Sequence, residues 1–388
     1  MRVLVVLAQP IEDDTSSMLT ARSIINEWAK HNQVFVFAPY PDSRSIYFNG
    51  NAFIYQSISL IHYGKLNKSN SSEDLHRSVK RNIFLRLLYK AYKSIDLFGY
   101  SITYKKYITF IKKTVQTMHF DVLATFSDPK TAHIIGSKVK KTKKHLFYIQ
   151  HWGDPLTIDI TDKTIVPTFL KKHIEKKLLK NADRIQYVSP ITLAKQKELF
   201  PKLASKMVFL PTNGEIIKYK KRIDYKNLSI AYCGSYMSSV RNIIPLYEAV
   251  GSLKDVGINL LIIGNGDVAL EEKSNIKILG RVNSEELIGI VKDVDVFVSI
   301  MNNRGSQIPR KLYSDGLSDK GALVLVDGEY GEQIQSFFSQ YNRYVFANNK
   351  KEEIVRCLLQ IVQEECIPCE PLTDFATEEI AKQLIEIN

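Results

Sequence analysis

The stretch that decides the fold begins Leu228-Ser-Ile-Ala-Tyr-Cys-Gly-Ser235. Its run of mainly apolar residues stops at Gly234, which predicts a buried strand that ends in a turn. Residues 240–250 then carry apolar side chains at helical spacing. A strand, a glycine turn and a helix in this order indicate a nucleotide-binding α/β domain.

The pattern continues as far as Asp327 with three more predicted strands. They are Ile258-Asn-Leu-Leu-Ile-Ile-Gly-Asn-Gly266, Ile276-Lys-Ile-Leu-Gly-Arg-Val282 and Val294-Asp-Val-Phe-Val-Ser-Ile300. In a doubly wound sheet, ligands bind beyond the carboxyl ends of the strands. We therefore expect the polar residues that follow these strands to form a ligand site.

The motifs after these strands occur in a characteristic order. They are Cys233-Gly-Ser235 with Arg241-Asn242, Gly264-Asn-Gly266, Gly280-Arg-Val-Asn-Ser-Glu-Glu-Leu287 and Gln307-Ile-Pro-Arg-Lys311. In this order and spacing they resemble the nucleotide-sugar-dependent glycosyltransferases of the GT-B fold and are similar to glycosyltransferase family 4. The resemblance extends over nearly the whole chain, although the N-terminal half matches in layout more than in residues. It implies an α/β protein with two Rossmann-like domains that face a central cleft.

The length of 388 residues exceeds what one hydrophobic core usually fills, so we expect two domains. The segment Pro211-Thr-Asn-Gly-Glu215 breaks the chain between two α/β patterns. We predict a Rossmann-like acceptor-binding domain over residues 1–212 and a Rossmann-like nucleotide-sugar-binding domain over residues 216–372. The resemblance implies that a C-terminal helix over residues 373–388 packs back on the first domain.

The resemblance implies a donor site in the second domain. Arg241 and Lys311 would neutralise the departing diphosphate and are the predicted catalytic cations. Gly234 would let the backbone approach the phosphates. The other predicted donor-binding residues are Ser235, Gly264, Asn265, Gly266, Arg281, Val282 and Asp315.

The segment around Lys311 departs from the family pattern at its acids. Gln307 stands where relatives carry the first carboxylate of a Glu-x7-Glu pattern, and Asp315 would then be the second, which binds the ribose hydroxyls. A register anchored on Ile-Pro-Arg-Lys311 places Ser314 at that position instead. The two registers remain open.

The first domain supplies further candidates. His151 follows a predicted strand and would bind the transferred sugar or the acceptor, while Asp154 would hold its ring or act as a base. The turn after the first strand contains Thr15, Ser16 and Ser17, which we predict to bind the acceptor, and its helix N-terminus would suit either a phosphate or the acceptor. The preceding acids, at positions 12–14, are expected to cap that helix.

The sequence predicts no metal site and no cofactor. GT-B relatives stabilise the leaving group with cations and helix dipoles. Asp293-Val-Asp295 has the spacing of a metal motif but begins a strand. Cys366-Ile-Pro-Cys369 lacks the second ligand pair of a zinc site and is assigned no function.

The net charge of +12 is concentrated in the first half of the chain. Residues 77–113 contain ten basic residues and one acid, and lysines recur at 138–144 and 171–177. We find no nucleic-acid-binding motif, so nucleic acid is not an expected partner. Two interpretations remain open, attraction to an anionic membrane surface and helices with solvated lysine faces.

The predicted localisation is cytoplasmic, with peripheral attachment to the cytoplasmic face of the membrane as an open alternative. The apolar run at Met1–Ala8 is short and is followed by acids, which favours a first strand over a signal peptide. No window reaches the roughly 18 apolar residues of a membrane-spanning helix.

These observations predict a nucleotide-sugar-dependent glycosyltransferase of the EC 2.4 type, acting on a glycan, glycolipid or other hydroxyl acceptor. By resemblance, retention at the anomeric carbon is favoured, and a role in cell-surface polysaccharide or glycolipid synthesis fits the basic first domain. Two alternatives keep the fold. One is a non-catalytic subunit that binds a partner glycosyltransferase, and the other is a sugar-nucleotide epimerase. The sequence leaves the donor base, the sugar and the linkage open.

Overall fold

The computed structural model describes residues 1–13, 15–40, 52–59, 94, 104–160, 162, 164–219 and 223–386. The chain divides into two compact units, Met1–Leu210 with Ile380–Asn388, and Pro211–Glu379. Each unit contains its own parallel sheet with helices on both faces. The predicted fold class, α/β with two Rossmann-like units, is confirmed.

The first unit has a seven-stranded sheet in the order β3-β2-β1-β4-β5-β6-β7. The strands are β1 (Arg2–Val6), β2 (Gln33–Tyr40), β3 (Ala52–Ser59), β4 (Val122–Phe126), β5 (Phe147–Trp152), β6 (Arg184–Tyr187) and β7 (Met207–Phe209). Within the described residues, the helices between them are α1 (Ser16–His31), α2 (Lys105–Thr117), α3 (Thr131–Lys140), α4 (Thr168–Lys180) and α5 (Pro190–Leu199). Because β1 and β4 are covered on both faces, their sequences are almost wholly apolar.

The second unit has a six-stranded parallel sheet in the order β10-β9-β8-β11-β12-β13. The strands are β8 (Ser229–Cys233), β9 (Asn259–Ile263), β10 (Ile276–Leu279), β11 (Val296–Ile300), β12 (Gly321–Val326) and β13 (Val345–Asn348). The helices are α6 (Ile244–Gly251), α7 (Ser284–Val291), α8 (Arg310–Gly316), α9 (Gly331–Ser339) and α10 (Lys351–Glu364), and the chain ends with α11 (Thr377–Ile385).

The last helix contributes to the core of the first unit. Ile380 and Leu384 are buried among the residues of α1 and β1, and Trp28 Nε1 donates a 2.8 Å hydrogen bond to the carbonyl of Ala381. The helix begins at Thr377, later than the predicted 373, because Thr373–Phe375 form a separate 3-10 turn. The ring of Phe375 packs 5.5 Å from that of Tyr313 in the second unit.

Some predictions fall outside the described residues. They include most of the basic tract over 77–113, of which the structure describes residue 94 and residues 104–113, and the predicted cap residue Asp14. Among the described residues, no helix combines the length and the apolar character needed to span a bilayer.

Candidate functional site

The strand order of the second unit reverses between β8 and β11, which are neighbours in the sheet. Crossovers lead away from this point in opposite directions, so the loops after the two strands separate and leave a crevice at the carboxyl edge. The loop after β8 contains Gly234 and leads to Arg241, and the loop after β11 contains Asn302 and leads to Lys311. The topology therefore brings four polar or glycine positions to one edge of the sheet.

Two glycines allow the loops after β8 and β9 to pack backbone against backbone. Gly264 has a φ of +140°, and a Cβ added there would lie 2.2 Å from the carbonyl oxygen of Gly234. A Cβ at Gly266 would lie 1.9 Å from the ring of Tyr236. The amide of Gly234 in turn donates to the carbonyl of Ile263 at 2.8 Å. The predicted Gly264-Asn265-Gly266 turn thus has a definite packing role.

The side chain of Lys311 packs beside the turn at Gly234. A Cβ added at Gly234 would be 3.6 Å from Lys311 Cε and 3.7 Å from its Cδ. Ser235, the next residue in the turn, is exposed. The structure therefore brings the predicted cation Lys311 and the predicted phosphate turn together, although 77 positions separate them in the sequence.

Arg241 is held in place by a residue that sequence reasoning missed. Arg241 Nε donates a 2.9 Å hydrogen bond to Asn302 Oδ1, and Asn302 Nδ2 donates one of the same length to the carbonyl of Gln307. Asn302 is buried and follows β11 by two positions. The only sequence signal for it is its place after a predicted strand. Through Asn302, the orientation of Arg241 is coupled to the loop that leads into Lys311.

The two candidates for the acid position differ in burial and in the direction that their side chains face. Asp315 is buried, and its Oδ2 accepts a 2.7 Å hydrogen bond from Ser299 Oγ in β11. Burial raises the pKa of Asp315, while the nearby Lys311 opposes that rise. Ser314, one position earlier, is exposed. The carboxylate of Asp315 faces the sheet, so the side chain that α8 presents to the exterior here is that of Ser314.

The remaining donor candidates lie in the loops after β9 and β10. Asn265 and Arg281 are exposed, and Val282 packs against the small buried cluster that contains Phe297. Asn283 then caps α7, because its Oδ1 accepts a 2.9 Å hydrogen bond from the amide of Glu286.

In the first unit, His151 lies near the end of β5 with its ring buried. Its side chain is 3% exposed, its ring centroid lies 5.2 Å from that of Phe126, and neither ring nitrogen has a hydrogen-bond partner within the described chain. Burial lowers the pKa of His151 to about 4, so the ring is neutral at pH 7. Within the described chain, the carboxylate of Asp154 does not hold this ring by a hydrogen bond, because neither ring nitrogen is bonded.

A second buried histidine lies beside the first, and sequence reasoning missed it. His133 Nδ1 lies 2.8 Å from Thr125 Oγ1, its ring centroid is 4.2 Å from that of Trp152, and its Nε2 has no partner within the described chain. Burial, followed by the proximity of His151 and Lys130, lowers the pKa of His133 well below its usual value. Two neutral imidazoles therefore lie close together near the carboxyl edge of β4 and β5.

Lys130 forms ion pairs with two carboxylates beside this edge, the largely buried Asp159 and the more exposed Asp128. Lys130 Nζ lies 2.9 Å from Asp128 Oδ1 and 2.8 Å from Asp159 Oδ2. Burial alone would lower the pKa of Lys130, but the two carboxylates raise it above its usual value. The buried carboxylate of Glu175 accepts hydrogen bonds from two backbone N–H groups of the loop after β5, each at 2.9 Å. That loop is therefore tied to α3 and α4.

The helix N-terminus after β1 is capped differently from the expectation. Thr15 is the N-cap of α1, and its Oγ1 accepts hydrogen bonds from the amide of Met18 and from Gln9 Nε2. The predicted caps at 12 and 13 are therefore incorrect, and position 14 lies outside the described residues. Ser16 is exposed, and the hydroxyl of Ser17 makes no hydrogen bond within the described chain.

The buried histidines make a prediction for acid stability. Since the pKa of His151 is lower in the folded state than in the unfolded chain, protonation of the unfolded chain destabilises the protein as the pH falls from about 6.5 towards 4. We expect the variant His151→Phe to lose about 2 kcal/mol less stability than wild type between pH 7 and pH 5. Urea unfolding followed by tryptophan fluorescence measures this, because both tryptophans lie in the first unit. If wild type and His151→Phe lost the same free energy of unfolding between pH 7 and pH 5, the prediction would be contradicted.

Solved structures resemble this chain over nearly its full length. HepE from Anabaena, crystallised with UDP, has a TM-score of 0.56 at 11% identity, covering 100% of this chain and 96% of that chain. A glycosyltransferase from Rickettsia africae has a TM-score of 0.56 at 14% identity, with coverages of 99% and 92%. The UDP-GlcNAc 2-epimerase from Neisseria meningitidis, bound to UDP-GlcNAc, has a TM-score of 0.55 at 10% identity, with coverages of 99% and 98%. These likenesses confirm the predicted GT-B fold.

In sequence, neither a protein-family profile nor a curated protein matches the chain.

Proposed function

We propose that this protein is a glycosyltransferase that moves a sugar from a nucleoside diphosphate to an acceptor hydroxyl. The observation that carries the proposal is the arrangement at the switch point of the second unit. There Lys311 lies across the Gly234 turn, and Asn302 holds Arg241. A diphosphate is the ligand class that a glycine turn with two cations fits best.

The two cations would act on the leaving group. As the bond between sugar and phosphate breaks, negative charge develops on the diphosphate, and cations held in position stabilise that charge without reorganising. The proposal needs no metal ion or cofactor, because Arg241 and Lys311 supply the positive charge. The exposed Ser314 hydroxyl and the loop at Arg281 and Val282 would contact the ribose and the base.

The acceptor or the transferred sugar would bind at the carboxyl edge of the first unit. Leaving a buried polar atom unpaired costs about 1–3 kcal/mol, so a sugar hydroxyl that pairs with a His151 nitrogen would be favoured. The Ser17 hydroxyl and the exposed Thr15 and Ser16 at the start of α1 are further contacts in this proposal. Asp154, which is half-buried, remains the candidate base if the reaction inverts the anomeric carbon.

By resemblance to family 4, we propose transfer with retention, in the cytoplasm, to a glycan or glycolipid of the cell surface. The structural relatives include a UDP complex, a UDP-GlcNAc complex and both transferase and epimerase activities. The fold is therefore compatible with an epimerase as well. The motif order after the strands of the second unit favours transfer.

We expect millimolar UDP to raise the melting temperature, because a ligand that binds only the folded state stabilises it by mass action. GDP, ADP and CMP are the comparison ligands. A shift with one nucleotide that is lost in Arg241→Ala would identify the donor class and place its site in the second unit. No shift with any nucleotide would contradict the proposal and favour the non-catalytic subunit.

Turnover separates the two enzymatic alternatives. A transferase releases nucleoside diphosphate only when an acceptor extract is added, apart from slow hydrolysis. An epimerase converts the nucleotide sugar to its isomer with no acceptor present. Isomer formation from UDP-GlcNAc alone would therefore reject the transferase.

A further inference from the structure

Three helices of the first unit lie on the same face of its sheet. α2, α3 and α4 pack around one hydrophobic cluster, with Tyr107, Ile135 and Leu179 among its buried members. Their outward sides therefore face the same direction. We call these outward sides, including the turn after α3, the lysine face. The helices contain a single acid, Glu175, which is buried and bonded to backbone.

The lysine face is most regular along α4. Lys172, Lys176, Lys177 and Lys180 are all exposed there. Phe169 lies on the same side of the helix, one turn before Lys172, and is 70% exposed. From Phe169 to Lys180 the row spans about 16 Å along the helix axis.

The lysines of α2 and α3 are close enough to repel one another. Partial burial lowers the pKa of Lys138, and the charges of Lys112 on α2 and Lys141 after α3 lower it further. Lys113 is exposed on the same helix as Lys112. This repulsion between like charges would be relieved by a bound polyanion.

We propose that the lysine face docks the protein on the surface of an anionic lipid bilayer. Charge complementarity requires a polyanionic partner. The exposed apolar side chains Phe169 and Ile165, which are 70% and 58% exposed, favour a bilayer over nucleic acid, because they can enter the boundary between headgroups and acyl chains. Phe169 lies in the first turn of α4 and Ile165 shortly before it, in the connection that comes from the carboxyl end of β5, where His151 lies. If the proposed function is correct, docking brings a lipid-linked acceptor to that edge, but the docking itself does not depend on it.

Sedimentation with vesicles tests the docking without using any activity. The vesicles contain equal parts of phosphatidylglycerol and phosphatidylcholine, and pure phosphatidylcholine is the neutral control. We expect binding only to the anionic vesicles and its loss in high salt. The triple variant Lys172→Gln, Lys176→Gln and Lys180→Gln should weaken binding about tenfold or more.

A matched control variant removes three lysine charges that lie outside the lysine face. Lys254, Lys277 and Lys351 are exposed on the second unit, and changing all three to Gln should alter binding less than about twofold, because none of them belongs to the lysine face to which the proposal assigns the docking. Equal losses in the two triple variants would overturn the proposal, as would equal binding to neutral vesicles.

A fluorescent reporter tests the apolar contact. Both native tryptophans are buried, so the added tryptophan in Phe169→Trp should shift its emission to shorter wavelength when anionic vesicles are added. A tryptophan at the exposed Val256 of the second unit should not shift. No shift at position 169, or binding to a single-stranded oligonucleotide with none to vesicles, would overturn the bilayer as the partner.

Discussion

Replacing Arg241 by alanine is expected to lower the turnover of the nucleotide sugar by about a hundred- to a thousand-fold, the usual cost of losing one preorganised group that stabilises transition-state charge. The loss should appear mainly in kcat, because charge on the leaving diphosphate develops as the bond breaks. Lys311→Ala should have a similar effect, since its side chain lies across the same glycine turn. Turnover with an acceptor extract, measured as release of nucleoside diphosphate, checks both variants.

The matched control is Arg356→Ala. This arginine also lies in the second unit, but its side chain is 73% exposed and pairs with Glu353 on the surface of α10. We expect its turnover to equal that of wild type. If Arg241→Ala and Lys311→Ala melt at the wild-type temperature and still turn over the donor normally, the assignment of the leaving-group site to the β8–β11 switch point is wrong.

The strands and their glycine turns were predictable because parallel strands covered on both faces appear as continuous apolar runs. The predicted strand from Leu228 to Gly234, for example, corresponds to β8 at Ser229–Cys233. The carboxyl ends of those runs indicated where to look for ligand-binding residues. The proximity of Lys311 to Gly234 then follows from the switch point, where β8 and β11 are adjacent.

Side-chain partners that are distant in sequence were not predictable in this way. Asn302 lies 61 positions from Arg241, and no local pattern pairs them. His133 lies on the buried side of α3, and its ring is positioned by contacts with Thr125 and with the ring of Trp152. Such contacts depend on how helix and strand pack in three dimensions.

The ambiguity between Ser314 and Asp315 has a simple geometric cause. Neighbouring helical residues point about 100° apart, so a shift of one position exchanges a side chain that faces the sheet with one that faces outward. Sequence spacing left that choice open. The packing of α8 against β11 decides the orientation, because it brings Asp315 within 2.7 Å of Ser299.

Replacing Gly264 by alanine is expected to destabilise the second unit by about 3 kcal/mol or more, because strained backbone and overpacking each cost about 1–3 kcal/mol. At a φ of +140° an L side chain is strained, and the new Cβ would lie 2.2 Å from the Gly234 carbonyl oxygen. That contact involves backbone on both sides, so no side-chain rotation relieves it. Urea unfolding followed by circular dichroism measures the loss.

Gly289→Ala is the control for this glycine. It lies within α7 and a Cβ there would meet nothing within 4 Å, so helix propensity alone should make the change neutral or stabilising by up to about 1 kcal/mol. A Gly264→Ala protein as stable as Gly289→Ala would contradict the close packing of the two loops.

If Gly264→Ala still folds, relief of the clash must move the Gly234 turn away from Gly264. Since Lys311 lies across that turn, we then expect weaker stabilisation by UDP, which links the packing of two loops directly to the proposed diphosphate site.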